Sequence, residues 1–349
     1  MKILLAPISW LYAIVLHIRH KLFDWGILKS KSFSVPTICV GNLALGGTGK
    51  TPHTEYLIRL LQDKFKVAVL SRGYGRKTKG YVLAKQDTGY EEIGDEPMQY
   101  HSKFNDIYVA VDENRCEGVD NLMASAPDTD VILLDDAYQH RKIKPGLNIL
   151  LTEYYNIYKK DMLLPAGRLR DVKSAAKRAD ILLVTKSPRV LLPYDKRDMI
   201  NILEAKPYQK VFFTYIDFQD LTPITGTARA TNLQDIKSVY LFCGIANSYP
   251  LEDHLKRKYN TLITNYYYDH HCFTDEDINT IIDGFNNVIG KNKIIVTTEK
   301  DLMRLTKASY MNKFEDVPLF TIPIEVRFND KNEGEIFNNL IIDYVRKNS

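Results

Sequence analysis

Six short apolar runs constrain this chain more than any other feature: PTICV (36–40), KVAVL (66–70), DIYVAV (106–111), DVILL (130–134), LNILL (147–151) and DILLV (180–184). Each has the length of a strand, and most lack the polar alternation of a sheet with one wet face. Strands of this kind are buried on both sides, as in a parallel sheet covered by helices. Helix-like stretches separate several of them, and TPHTEYLIRLLQDKF is the clearest. The pattern predicts an α/β fold with a doubly wound, mostly parallel sheet.

The runs end in polar or glycine-rich residues: GN, SRGYGR, DENR, DDAYQH, TEYYN and TKSP. Open α/β sheets bind ligands beyond the carboxyl ends of their strands, so these clusters should share one rim. After about residue 205 the texture changes. KVFFTYIDF (210–218) and VPLFTIPIEVRF (317–328) read as edge strands or linkers, and SVYLFCGIAN (238–247) and NKIIVTTEKD (292–301) as strands with polar ends. The expected organisation is an apolar, basic helix over 1–30, a nucleotide-binding core over 31–209 and a linker strand over 210–229. A smaller α/β lobe over 230–316 follows, then a return strand and closing helix over 317–349.

The first run continues into VGNLALGGTGKTP, Val40 to Pro52. The phosphate-binding pattern G-x-x-x-x-G-K-[ST] is met at Gly49, Lys50 and Thr51, with Ala44 in the first glycine position. Leu45, Gly46, Gly47 and Thr48 complete the loop, and its two central glycines supply the freedom to turn. Backbone amides and the following helix start would cradle phosphate. Lys50 would reach the β- and γ-phosphates, and the Thr51 hydroxyl would bind Mg²⁺. DVILLDDAYQH is the matching acidic strand end: Asp135 or Asp136 would hold the ion. Successive strand residues face opposite ways, so one of the two is expected in the ion shell.

Weaker candidates lie on the same rim. Asn42 follows the first run. Arg72 and Arg76 sit on a glycine-rich loop, and Arg168, Arg170 and Asp171 on LLPAGRLRD; each loop is either an anion contact or a solvated turn. Asp95 in IGDEP also has the position of a helix cap. Thr274 and Asp277 form a capping box that leaves His270 and His271 just outside a helix. No guanine-reading [NT]KxD is present, and Leu45 stands where partitioning ATPases carry a second lysine.

Five basic residues before position 32, against Asp24 alone, account for the whole net charge of +4. The electrically neutral remainder argues against nucleic-acid binding. The basic cluster adjoins ILLAPISWLYAIVLHI, a 16-residue run too short at about 24 Å for a ~30 Å hydrocarbon core. Pro7 should weaken a continuous helix there. An interfacial helix on anionic lipid is expected, with Trp10 and Tyr12 at headgroup depth. Four scattered cysteines, with no CxxC, fit a reducing compartment and no zinc site.

Taken in order, the N-terminal helix, VGNLALGGTGKTP, SRGYGR, GDEP, DDAYQH, LLPAGRLRD, VTKSP, FCGIAN, DHHCF and TTEKD resemble the tetraacyldisaccharide 4′-kinase family, the lipid A 4′-kinases of Gram-negative bacteria. That family also lacks the first loop glycine. The resemblance implies transfer of the ATP γ-phosphate, with Mg²⁺, to the 4′-hydroxyl of a tetraacylated glucosamine disaccharide 1-phosphate. It implies a two-lobed P-loop fold at the cytoplasmic face of the inner membrane, with no obligate protein partner evident. It further implies that Asp95 and His270 act as a catalytic pair, assembled by lobe closure. Family members often show DDGFQH where Ala137 and Tyr138 stand here. They often carry glutamate at Asp171, a further metal candidate with a shorter reach. Two alternatives remain at this stage: a soluble small-molecule kinase or ligase, and a nucleotide-switch or metal-insertion NTPase.

Overall fold

The structure is a computed structural model that describes residues 2–305 and 308–348. The chain forms two compact units, Met1–Ile216 with Val326–Ser349, and Asp217–Glu325.

The first unit is built on strands β1 (Thr37–Asn42), β2 (Val67–Ser71), β3 (Val82–Leu83), β4 (Tyr108–Val111), β5 (Val131–Asp135), β6 (Leu147–Glu153), β7 (Ile181–Thr185) and β8 (Lys210–Phe218). The second contains β9 (Thr222–Pro223), β10 (Ser238–Cys243), β11 (Thr261–Tyr266), β12 (Lys293–Thr298) and β13 (Leu319–Ile322), after which β14 (Ile324–Phe328) returns to the large sheet. The large sheet runs β14-β8-β7-β6-β1-β5-β2-β4-β3. β1 pairs in parallel with β5 on one side and β6 on the other, with Val40 opposite Asp135 and Asn42 opposite Leu151. The strand order therefore reverses around β1, whose carboxyl end is the place where such sheets bind ligands.

Both faces of the sheet are dry because each strand presents apolar residues to both. Cys39, Leu70, Leu134, Leu150 and Leu182 share one core with Leu16, Val119 and Leu203 from covering helices. Their neighbours Val40, Val69, Leu133, Ile149 and Leu183 share the other, with Ile58 and Leu61 from α2 (Lys50–Leu61) and Phe337, Ile341 and Val345 from the last helix. Burial of this kind, at about 25 cal/mol per Å² of apolar surface, holds the sheet together.

The second unit has its own sheet, β11-β10-β12-β13-β9, parallel except for β9. β11 carries no unbroken apolar run; it lies at the sheet edge with Thr261, Ile263 and Tyr266 exposed. VPLFTIPIEVRF is not one strand. Pro323 separates β13, in the small sheet, from β14, in the large one, as suits a residue with no amide hydrogen to donate.

The first helix, α1, is unbroken over Lys2–Asp24 with Pro7 inside it. Pro7 was expected to weaken this helix; the helix continues through it, without the one i→i−4 bond that a proline cannot donate. The packing of α1 inverts the usual amphipathic pattern. Ser9, Tyr12, Leu16, His20 and Phe23 face inward, whereas Leu4, Ile8, Leu11, Val15 and Ile18 form an exposed apolar stripe flanked by Trp10 and Ile14. Among the described residues no helix is long and apolar enough to cross a membrane.

Candidate active site

The loop from Leu43 to Gly49 joins β1 to α2. Left-handed backbone at Gly46 (φ 105) and Gly49 (φ 90) turns the chain. Gly49 caps α2 without a side chain, so the first helical amides are left to an incoming acceptor. The loop is held from below by His53, whose ring nitrogens lie 2.6 Å from Gly49 O and 2.9 Å from Thr214 Oγ1. Burial lowers the His53 pKa to about 4. Asn42 donates to Thr48 Oγ1 at 2.7 Å and accepts from Arg170 at 2.5 Å. Asn42 is fully buried in this role and braces the loop.

The acids stand where the loop can use them. Lys50 Nζ lies 3.8 Å from Asp136 Oδ2. Asp136 has left-handed backbone (φ 50) and also receives the Arg170 guanidinium through both terminal nitrogens. Burial pushes its carboxyl up, but Lys50 and Arg170 outweigh that and hold it below the usual range. Asp135 is different. Burial, then Glu96 and Asp136, raise it to about 7 despite Lys50. Its Oδ2 accepts from Tyr100 at 3.2 Å, and its Oδ1 is buried with no partner.

An orphaned buried carboxylate oxygen needs a counterpart. Thr51 and Glu96 extend the oxygen set, with Thr51 Oγ1 donating to Glu96 Oε1 at 3.1 Å. Among the described residues no three His, Cys, Asp or Glu side chains form a ready metal cage. Mg²⁺ does not require one: it takes one or two carboxylates and completes its shell with water and substrate phosphate. The donors present fit that ion.

Asp95 is buried and opens the helix Asp95–Lys103; it is not its cap, which is Gly94. Its Oδ1 accepts from the Glu96 amide at 3.0 Å. Gly94 (φ 91) has no room for a side chain, since a Cβ there would lie 2.7 Å from Tyr74 O. This close approach seats Asp95 and Glu96 against the SRGYGR loop.

The arginines divide. Arg72 is exposed on that loop. Arg76 is turned inward to Glu113 at 2.7 Å and Gly80 O at 2.7 Å, where it braces the loop. Arg168 pairs with Asp161 at 3.0 Å, while its carbonyl accepts from the Leu45 amide at 2.7 Å. Asp171, expected at the metal, has both oxygens engaged elsewhere: Oδ1 with His20 at 2.6 Å and the Val172 amide at 2.8 Å, Oδ2 with Arg178 at 3.4 Å. Three residues on this rim were not singled out from the sequence. Glu96 adjoins Asp95 in GDEP. Arg115 is buried with two guanidinium nitrogens unmatched. His140 closes DDAYQH and is lowered to about 4 by burial and by Arg115 and Arg72.

In the second unit, the expected capping box forms: Asp277 N donates to Thr274 Oγ1 at 3.2 Å and Thr274 N to Asp277 Oδ2 at 2.8 Å. His270 sits before it with left-handed backbone (φ 62), 3.3 Å from Lys300 Nζ and 3.5 Å from Arg304 Nη2.

The family described as Tetraacyldisaccharide-1-P 4′-kinase matches residues 1–341. The chain belongs to that family. A tetraacyldisaccharide 4′-kinase of Phocaeicola vulgatus is 47% identical over 99% of this chain and 95% of its own. One from Flavobacterium johnsoniae is 43% identical over 99% and 97%. A crystal structure of LpxK from Aquifex aeolicus in complex with ATP covers 99% of both chains with a TM-score of 0.74 at 28% identity. Membership of this kinase family sets aside the switch and metal-insertion alternatives.

Proposed function

We propose that this chain transfers the γ-phosphate of ATP to the 4′-hydroxyl of a tetraacylated glucosamine disaccharide 1-phosphate at an anionic membrane surface. The observation that carries the reading is the meeting of Lys50, Thr51, Asp135, Asp136 and Glu96 at the carboxyl end of β1 and the start of α2. The loop amides and Lys50 bind and orient the triphosphate, and positioning with fixed charge supplies most of the rate in such transfers. Thr51, Asp135, Asp136 and Glu96 would hold Mg²⁺, which when bound neutralises charge on the phosphates. Asp95 takes the proton from the attacking sugar hydroxyl, a role suited to a carboxylate at hydrogen-bond distance. His270 is assigned its part in proton handling on family resemblance alone. Arg72 is the exposed cation proposed to meet the acceptor.

The membrane reading rests on the outward apolar stripe of α1. Soluble proteins rarely expose a contiguous patch of this kind. A groove of about 310 Å³, lined by Trp10, Ala13, Leu163, Leu169 and Val172, runs between α1 and the segment 161–174 and suits an acyl chain. The basic residues of the N-terminal region would meet lipid phosphates on the cytoplasmic face.

The test is transfer of labelled phosphate from ATP to the disaccharide lipid in detergent micelles. Lys50→Ala should abolish transfer, and Asp95→Asn should lower kcat by about 10²–10⁴-fold with ATP binding retained. Unaltered turnover in Asp95→Asn removes Asp95 from the base role. A soluble sugar phosphorylated as well as the lipid would favour the small-molecule alternative.

A further inference from the structure

The inner face of α1 is more polar than a mere anchor requires. Ser9 Oγ donates to Leu163 O at 2.9 Å and accepts from the Ala166 amide at 3.1 Å. Tyr12 donates to Arg170 O at 3.1 Å, and Arg19 to Gln139 O at 3.2 Å. His20 Nε2 lies 2.6 Å from Asp171 Oδ1, a carboxylate 1% exposed. Arg141 Nη1 approaches the other ring nitrogen at 3.2 Å and His20 O at 2.9 Å, which makes Nε2 the donor to Asp171.

The segments reached by these bonds are those that shape the phosphate loop. Residues 168–171 run beside it: Leu45 N donates to Arg168 O at 2.7 Å and Arg170 N to Leu43 O at 2.8 Å. An isolated antiparallel bridge between Ala44 and Leu169 holds this bent segment against the loop. Arg170 turns to Asp136 and Asn42, and Asp171 turns to His20 and Arg178. The two residues are adjacent, so a backbone shift that frees Asp171 from His20 also displaces Arg170. A second route runs from Arg19 through residue 139, since Gln139 Nε2 donates to Asn42 O at 2.6 Å and Asn42 braces Thr48.

We propose that α1 is part of the catalytic framework, with His20 and Asp171 as positioning residues that hold the Arg170 clamp on Asp136 and so set the Lys50 geometry. This rests on the reading of the loop and Asp136 as the phosphoryl-transfer site. Buried ion pairs contribute little net stability compared with apolar packing, so a polar seam here serves geometry more than adhesion. It also joins the lipid-facing helix to the phosphate loop through direct hydrogen bonds.

The test compares His20→Ala, Asp171→Asn and His20→Gln with Leu16→Ala, which removes a buried apolar group from the same helix stripe. The full-length proteins are assayed for kcat, KM for ATP and for micellar lipid, Tm, and partition onto anionic vesicles. His20→Ala and Asp171→Asn should lower kcat by about 10–100-fold, the usual effect of losing an orienting partner, with both KM values and vesicle partition little changed. His20→Gln, which keeps a donor, should recover most of kcat. Leu16→Ala should lower Tm at least as far as His20→Ala but leave kcat within about threefold of wild type, because misplacement and not instability is the proposed cause. Equal kcat losses in Leu16→Ala and His20→Ala at matched Tm overturn the proposal. So does an intact kcat in His20→Ala while Lys50→Ala is dead. Full activity in Lys50→Ala overturns the site reading itself, and the proposal with it.

Discussion

Replacing Asp135 by asparagine should stabilise the protein above neutral pH and disable it at the same time. The carboxyl is 0% exposed, and burial, Glu96 and Asp136 raise it from 3.8 to about 7. Below pH 3.8, its unfolded value, both states hold the proton and the group costs folding nothing. Between 3.8 and about 7 the unfolded chain loses the proton while the folded chain keeps it, so stability falls as pH rises. Above about 7 the loss is complete, on the order of 4 kcal/mol. Asparagine avoids this charge but must satisfy its own amide hydrogens in the same dry place, so the net gain should be about 2 kcal/mol at pH 8. That corresponds to roughly 4–8 °C in Tm for a unit of this size. Calorimetry of wild type and Asp135→Asn in EDTA-containing buffers would read the difference between them from about pH 5 to 8. Taking the difference cancels His53 and His140, both lowered to about 4 chiefly by burial. The gap should be near zero at about pH 5 and full by about pH 8. A gap that does not change with pH refutes the argument, because Asp135 would then titrate alike in folded and unfolded chains.

Glu96→Gln should raise the Mg²⁺ concentration for half-maximal transfer by about tenfold or more, measured by metal titration at saturating ATP. It should also move the Asp135 transition to lower pH, since Glu96 is the second cause of that shift. Gly94→Ala places a Cβ 2.7 Å from Tyr74 O at φ 91, and should cost about 1–3 kcal/mol in denaturant unfolding, with kcat reduced as Asp95 moves. Ile14→Asp, on the exposed stripe of α1, should weaken flotation with anionic vesicles by about tenfold or more while Tm stays within a degree or two of wild type.

The large sheet was legible because its strands are buried on both faces and so carry unbroken apolar runs. Residues 38–40 and 131–134 could hardly be read otherwise. β11 escaped because an edge strand with Thr261, Thr264 and Asn265 resembles a loop in composition. The site divides along the same line. Lys50, Thr51, Asp135 and Asp136 follow from spacing relative to strand and helix ends, which local sequence specifies. Arg76, Asn42 and Asp171 were assigned by position on the rim, but which way a side chain turns depends on partners such as Glu113, Thr48 and His20, the last 151 positions from Asp171. Glu96 shows the converse: its role emerges only when Thr51 is placed beside it. The inward set of α1 was hidden by an apolar run in which both faces look alike.

The excursion of the chain through residues 217–325 has a consequence for synthesis. A ribosome emits the phosphate loop early, yet β14 and the helix bearing Phe337, Ile341 and Val345, which seal one face of that same sheet, emerge last. The smaller unit can therefore finish first, although it begins more than two hundred residues downstream. Nascent chains ending shortly before Ile324, carried clear of the ribosomal tunnel by an unstructured C-terminal extension, should be protease-resistant in the smaller unit and still open around β1, the reverse of a simple N-to-C sequence.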